Sequence, residues 1–166
     1  MPGKHQGFRD FAIEGHREIG RRARELGARA VVLSSQDVAA EVRGHTGGAG
    51  VDVSYDSVGK TSAQASLDSL KPMGIMATFG NASGKPDPVD PQVLAGKGSL
   101  YLTRPTLFTH IRTRELCQER ADDLFDMVGS GKVTIEINQT YALADIAQAH
   151  KDLEARKTTG ATVIHP

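Results

Sequence analysis

The stretch "HTGGAGVDVSYDSVGKTS", His45 to Ser62, decides how this chain is read. It sets a short β-rich run, "VDVSYD", between two glycine-bearing turns. "GGAG" (Gly47 to Gly50) precedes the run, so its glycines are expected to end one helix and turn the chain into Val51. A dinucleotide fingerprint needs Gly-x-Gly-x-x-Gly after a strand and opening a helix, where backbone amides and the helix N-terminus meet a pyrophosphate. "YDSVGKTS" does stand after a strand and before a helix, the position where open α/β sheets bind ligands. Its "GKT" (Gly59, Lys60, Thr61) ends like a phosphate loop, but the glycine required five residues before Gly59 is Ser54, inside the strand. The segment therefore reads as a strand-to-helix turn with Lys60 in solvent. Asp56 reads as a carboxylate capping the helix that follows.

Working outward, strands and helices alternate. "ARAVVL" (Ala28 to Leu33) is a buried-strand pattern, and "DVAAEVRGHTGG" a helix with Val38 and Val42 inward, stopped by Gly47 and Gly48. "TSAQASLDSL" predicts a helix with Ala63, Leu67 and Leu70 on one face, broken by "KPMG", after which "GIMATFG" is a strand. "NASGKPDPVDP" is a loop, "GSLYLT" a strand, and from Thr113 a longer helix carries Cys117, Ala121, Leu124 and Val128 on one stripe. "KVTIEI" alternates as an edge strand. "LADIAQAHKDLEARK" is helical with Leu143, Ile146, His150 and Leu153 in line, and "ATVIHP" closes as a strand. The alternation predicts an α/β fold with a largely parallel sheet. "FGNASG" (Phe79 to Gly84) is a second loop at a strand's carboxyl end, and beside "YDSVG" it would form one rim of a nucleotide crevice.

Composition narrows the function. The chain has 166 residues, enough for a core without staples, with net charge zero and no concentrated basic patch, which argues against a nucleic-acid partner. Arg17, Arg21, Arg22 and Arg24 interleave with Glu14, Glu18 and Glu25 and read as a solvated helix face. A single cysteine, Cys117, fits a reducing cytoplasm and reads as a small buried hydrophobe. No apolar run is long enough to span a membrane. Six scattered histidines and one cysteine give no metal constellation, and His150 reads as a half-buried structural residue.

Four separated motifs, "VSYDSVGK", "SLKPMGIMATFGNASG", "KGSLYLTRPTL" and "DLEARKTTGATVIHP", resemble the zeta-crystallin-type quinone oxidoreductases, zinc-independent members of the medium-chain dehydrogenase/reductase superfamily. The resemblance covers roughly Leu26 to Pro166. It implies a partial Rossmann-like three-layer fold with a mostly parallel sheet, lacking the first two Rossmann strands. Residues 1–25 are then an atypical N-terminal segment, and 26–166 a partial nucleotide-binding domain with the C-terminal segment. It further implies hydride transfer from NADPH to a quinone, with Ser57 and Val58 against the cofactor and Phe79, Gly80, Asn81 and Ala82 on the nicotinamide side. Arg156 would reach a cofactor phosphate, and no metal would take part. A homodimer would form through the Gly98 to Thr103 strand.

The sequence also departs from that pattern. The glycine-rich loop and the substrate domain have no counterpart, and Ile19 or its neighbours and "VLSS" stand where relatives hold the NADPH 2′-phosphate, so the grip on NADPH is expected to be impaired. With the usual strand order 3-2-1-4-5-6, "ARAVVL" is expected either to pair directly with "VDVSYD" or to leave a space for a second chain. The alternative function is a non-catalytic dimerisation or interaction module that keeps the Rossmann remnant for its fold.

Overall fold

Parallel strand pairs joined by helices build the chain, beginning with a pair that the sequence pattern does not announce. The structure is a computed structural model that describes residues 11–14, 17–25, 27–155 and 157–166. Phe11–Glu14 (β1) and Ala30–Leu33 (β2) run parallel with Ile13 opposite Val32, and the helix Arg17–Glu25 (α1) connects them. The expected direct pairing of "ARAVVL" with "VDVSYD" is therefore corrected: β2 takes its partner from the N-terminal segment. Four residues carry too little periodicity to be recognised as a strand, and the ladder to β2 is what makes them one.

The helix Val38–His45 (α2) is capped as composition suggests, with the Ala40 N–H donating to Asp37 Oδ1 at 3.0 Å, and it buries Val38 and Val42. Gly47, Gly48 and Gly50 all have positive φ, which makes the turn into the next strand their work. Val51–Asp56 (β3), Leu70–Thr78 (β4) and Tyr101–Thr103 (β5) form a parallel sheet in the order β3-β4-β5. The helices Ala63–Asp68 (α3) and Pro91–Gly96 (α4) lie between them in sequence. Leu70 is not on the helix, and "KPMG" does not separate helix from strand. The strand starts at Leu70 opposite Val51, then Lys71 to Gly74 bulge out before Ile75 meets Val53. Met73 takes a positive φ there and its N–H bonds to Gly98 O. Arg43 fastens the junction, donating to the carbonyls of Gly48, Asp68 and Leu70.

The helices sort onto two faces. Val32 packs with Val38 and Val42 of α2, and Ala65 of α3 joins that cluster, while Leu67 and Leu70 pack with Met76 and Leu94. α2, α3 and α4 thus cover one face. α1 covers the other, since a Cβ at Gly20 would stand 2.7 Å from Val31 Cγ1, and Val31 points opposite to Val32. The register aligns Val53, Ile75 and Tyr101 on the α1 face, with Tyr55 one row on. That row is open: Tyr55 is 77% exposed and Tyr101 54%.

The chain divides into two units, Met1–Thr106, which contains everything above, and Leu107–Pro166. The second holds the helices Leu107–His110 (α5), Arg114–Gly129 (α6) and Ile146–Glu154 (α7), with Ile137–Ala142 (β6) parallel to Ala161–His165 (β7). The strand expected at "KVTIEI" lies later, because the ladder to β7 begins at Ile137. Val133 and Ile135 are exposed. The two apolar stripes are also corrected. Leu143, Ile146, His150 and Leu153 are exposed and Cys117 is only half-buried, leaving Ala149 as the buried hydrophobic among this unit's described residues. A two-stranded sheet is too narrow to bury helix faces by itself. No described helix is long and apolar enough to cross a membrane.

Candidate functional site

The carboxyl ends of β3 and β4 carry the two loops that the sequence singles out, and one buried carboxylate organises the first. Asp56, 3% exposed, ends β3. Its Oδ1 accepts from the Val58 and Gly59 amides at 2.8 and 2.9 Å, and its two oxygens accept from the Ser62 and Ser66 hydroxyls at 2.8 to 2.9 Å. Burial pushes the carboxyl upward, but the bonds from Gly59, Ser62, Ser66 and Val58 outweigh it and hold the group below the usual carboxylate range. Asp56 therefore does more than the cap expected of it. It ties the turn at residues 57–59 to the start of α3, whose Ncap Ser62 makes no capping bond of its own.

The second loop is locked onto the first. The Phe79 N–H donates to Asp56 O at 2.8 Å, Ala82 N–H to Ser57 O at 3.2 Å, and Ser83 N–H to Val58 O at 2.8 Å. In return Lys60 N–H donates to Gly84 O at 3.0 Å and Thr61 N–H to Ser83 Oγ at 3.0 Å. Two glycines permit this approach. A Cβ on Gly80 would fall 2.2 Å from Ser57 O, and one on Gly59, where φ is +90°, would fall 2.6 Å from Gly84 O. No side chain fits either gap, so glycine is required for packing as well as for turning.

Of the residues expected at the site, Ser57, Val58, Phe79, Gly80, Asn81 and Ala82 come together on this paired platform. Ser57, Phe79, Asn81 and Ala82 stand in the open part of it with the 39% exposed Val58, while Gly80 supplies the close contact beneath. Val58 and Phe79 beside the polar Ser57 and Asn81 suit a flat heteroaromatic ring with a polar substituent. Arg156 lies outside the described residues. Lys60 is exposed, as expected of a turn, and the amides of Lys60 and Thr61 are spent on the neighbouring loop, so the "GKT" run offers no phosphate cradle. Among the described residues no three His, Cys, Asp or Glu side chains stand close enough to share a metal ion.

The platform also borders a groove of about 480 Å³ that runs along β3 and reaches Ile13 of β1. Sequence reading had no access to this groove, since it depends on where β1 sits. Asp56, Ser57 and Val58 stand at its end and Ser62 and Ser66 in its wall. Nucleotide crevices form in such a place, outside the carboxyl ends of parallel strands.

Comparison with known proteins agrees with this geometry. Residues 26–164 match the sequence model of a family described as zinc-binding dehydrogenase. The chain is 47% identical over 150 residues to a quinone oxidoreductase of Pseudomonas aeruginosa, covering 90% of this chain and 46% of that protein. It is 39% identical to a 2-haloacrylate reductase of Burkholderia sp, covering 98% of this chain and 50% of that protein. Among solved structures, the Escherichia coli quinone oxidoreductase complexed with NADPH is 37% identical with a TM-score of 0.87, over 94% of this chain and 49% of that one. The chain thus spans about half the length of the relatives it matches.

Proposed function

Since the chain belongs to the zinc-binding dehydrogenase family, we propose that it carries the nicotinamide-facing half of the cofactor site of an NADPH-dependent quinone oxidoreductase. The observation that supports this reading is the pair of interlocked loops, Asp56 to Lys60 and Phe79 to Gly84, presenting apolar and amide side chains at the carboxyl ends of β3 and β4. Ser57 and Val58 would lie against the cofactor. Phe79, Gly80, Asn81 and Ala82 would line its nicotinamide side. The bound cofactor supplies a hydride for the quinone. The residues here orient it: Val58 and Phe79 exclude water from one face, and Asn81 can donate and accept at a carboxamide edge. Asp56 holds this surface rigid and transfers no proton, since its low-range carboxylate is already saturated with donors.

Arg156 is assigned to a cofactor phosphate on the resemblance alone, where a planar, permanently charged group suits the anion. Zinc does not fit the described residues, whose His, Cys, Asp and Glu side chains form no donor set, and no step runs through one. Full turnover requires the pyrophosphate grip and the quinone pocket, which in this reading lie in the half of the relatives' length that this chain does not span. A cytoplasmic setting and a homodimer through Gly98 to Thr103 belong to the same proposal, whereas the division expected at residue 25 does not, because β1 and α1 form one parallel unit with β2. The exposed Tyr101 and Leu102 on β5 favour that dimer.

The second reading, a non-catalytic interaction module, draws support from the same exposed strand. Titrating the chain with NADPH and NADH, followed by nucleotide fluorescence, separates the two. Saturable binding weakened at least fivefold in Phe79→Ala and Asn81→Ala supports the oxidoreductase half-site. No binding at millimolar nucleotide leaves the interaction module.

A further inference from the structure

The groove beside the platform carries Ser57 and Val58 at one end and also reaches Ile13, the residue before Glu14. A nicotinamide nucleotide with its ring on the platform thus has the carboxyl end of β1 within the same crevice, and the groups placed there act on its other half. Glu14 is the last residue of β1, opposite Leu33, the last of β2. Where a dinucleotide crosses such strand ends, an acidic residue takes the adenosine ribose hydroxyls of NADH, whereas an arginine accommodates the 2′-phosphate of NADPH. The charges around Glu14 therefore decide between the two nucleotides.

Those charges favour the unphosphorylated ribose. The turn after β2 is Ser34, Ser35, Gln36 and Asp37, with no lysine or arginine in it. Gln36 is spent on the turn, its N–H donating to Leu33 O at 2.9 Å and its Oε1 accepting from the Leu33 N–H at 2.8 Å, while Asp37 caps α2. Ser34 and Ser35 are exposed and neutral. Because β1 and β2 are parallel, α1 runs back from the carboxyl end of β1 to the amino end of β2. Arg21, Arg22 and Arg24 therefore lie progressively farther from this edge, and Arg29 lies at the opposite one. Arg43 is committed to backbone carbonyls and Lys71 to Asp52. Arg17, the first residue of α1, is the arginine left at this edge among the described residues.

We propose that Glu14 makes this site favour NADH over NADPH, by accepting the adenosine ribose hydroxyls and repelling a phosphate at the 2′ position. A carboxylate is ionised at neutral pH, and a phosphate monoester there carries more than one negative charge. Like charges that meet within a few ångströms at a protein surface repel strongly enough to cost tenfold or more in affinity. The inference rests on the nicotinamide-nucleotide reading for the position of the ring, and it refines which nucleotide that site prefers. NADPH still reaches the platform at higher concentration.

The test is a set of calorimetric titrations of the full chain with NADH, NADPH, adenosine 5′-monophosphate and adenosine 2′,5′-diphosphate. The last two differ by the 2′-phosphate alone and lack the nicotinamide ring. The expected result is that NADH binds at least tenfold more tightly than NADPH, and the monophosphate more tightly than its 2′-phosphorylated form. Glu14→Gln, with its fold checked by circular dichroism, is expected to bring each pair within threefold by weakening NADH and tightening NADPH. A substitution that merely loosened the fold would weaken both. Arg17→Ala is expected to leave NADPH affinity within twofold. NADPH binding as tightly as NADH overturns the proposal, as does a preference that Glu14→Gln leaves unchanged. So does a loss of NADPH affinity of fivefold or more in Arg17→Ala, because a cation would then hold the 2′-phosphate. A preference among the adenosine nucleotides that Glu14→Gln removes, with NADH no tighter than the monophosphate, would sink the nicotinamide platform and leave the role of Glu14 standing. Dinucleotide binding without preference would do the reverse. No binding of any of these nucleotides at millimolar concentration overturns both.

Discussion

Removing the Asp56 carboxylate should unpick the site from beneath. In Asp56→Ala four donors lose their acceptor, but they do not suffer equally. The Val58 amide sits in a partly exposed turn and can take water, and the Ser62 hydroxyl keeps the Gly59 carbonyl at 3.3 Å. The Gly59 amide and the Ser66 hydroxyl are buried and have no such recourse. Two orphaned buried donors at roughly 1–3 kcal/mol each give an expected loss of about 4 kcal/mol. Against a typical total of roughly 5–15 kcal/mol that is a large fraction. Asp56→Asn keeps an oxygen for the two amides, and the Ser66 hydroxyl can turn to accept from the new NH2, so only the charge-assisted part is lost, about 1–2 kcal/mol. The pH dependence has a definite sign. The folded-state carboxyl titrates below its unfolded value, so its contribution is complete above the ordinary range near pH ~3.9 and is lost as pH falls through the lower folded value. Urea denaturation of the parent chain and both variants, at neutral pH and again below the ordinary carboxylate range, reads both effects. A loss under about 1 kcal/mol in Asp56→Ala would refute the reasoning. So would a gap between the parent chain and the Asp56→Asn variant that widens on acidification.

Among the described residues the buried Thr78 hydroxyl has no hydrogen-bond partner. Thr78→Val, which removes it at equal shape, is expected to raise stability by about 0.5–1 kcal/mol, a gain of roughly 1–4 °C in thermal midpoint for a chain of this size. Gly59→Ala meets both a left-handed backbone and the Gly84 carbonyl. It should cost about 2–4 kcal/mol by denaturant titration and abolish nucleotide binding by parting the loops. If β5 pairs with its copy, Tyr101→Asp sets like charges across a two-fold axis, and sedimentation should show monomer where the parent chain shows dimer.

The fold was legible wherever a local pattern and a local stop signal coincided. "VDVSYD" became β3 without adjustment because β-branched residues, a preceding glycine turn and a following Asp-Ser bend all agree. α4 was missed although Asp90 and Pro91 announce it, a capping carboxylate before a proline at the first helical position. β1 and the true start of β4 were hidden for another reason. Each is created by a ladder to a distant strand, and proline and a positive-φ Met73 inside "KPMG" argue locally against a strand. The site shows the same divide. Position after a strand marked the two loops, and only the family resemblance singled out Ser57, Val58 and Phe79 to Ala82 within them, yet the fit of Gly80 against Ser57 exists only once β3 and β4 are paired. The Asp56 ring did leave a trace in sequence, since Ser62 and Ser66 are four residues apart and so share one face of α3.

The most direct test of the central claim is to locate the nucleotide. Amide resonances of the 15N-labelled chain should be followed by two-dimensional NMR as NADPH is added. The account expects shifts concentrated at residues 57–59 and 79–82, with the β5 and β6 strands silent. Shifts centred elsewhere in the first unit, or none at millimolar NADPH, would contradict it.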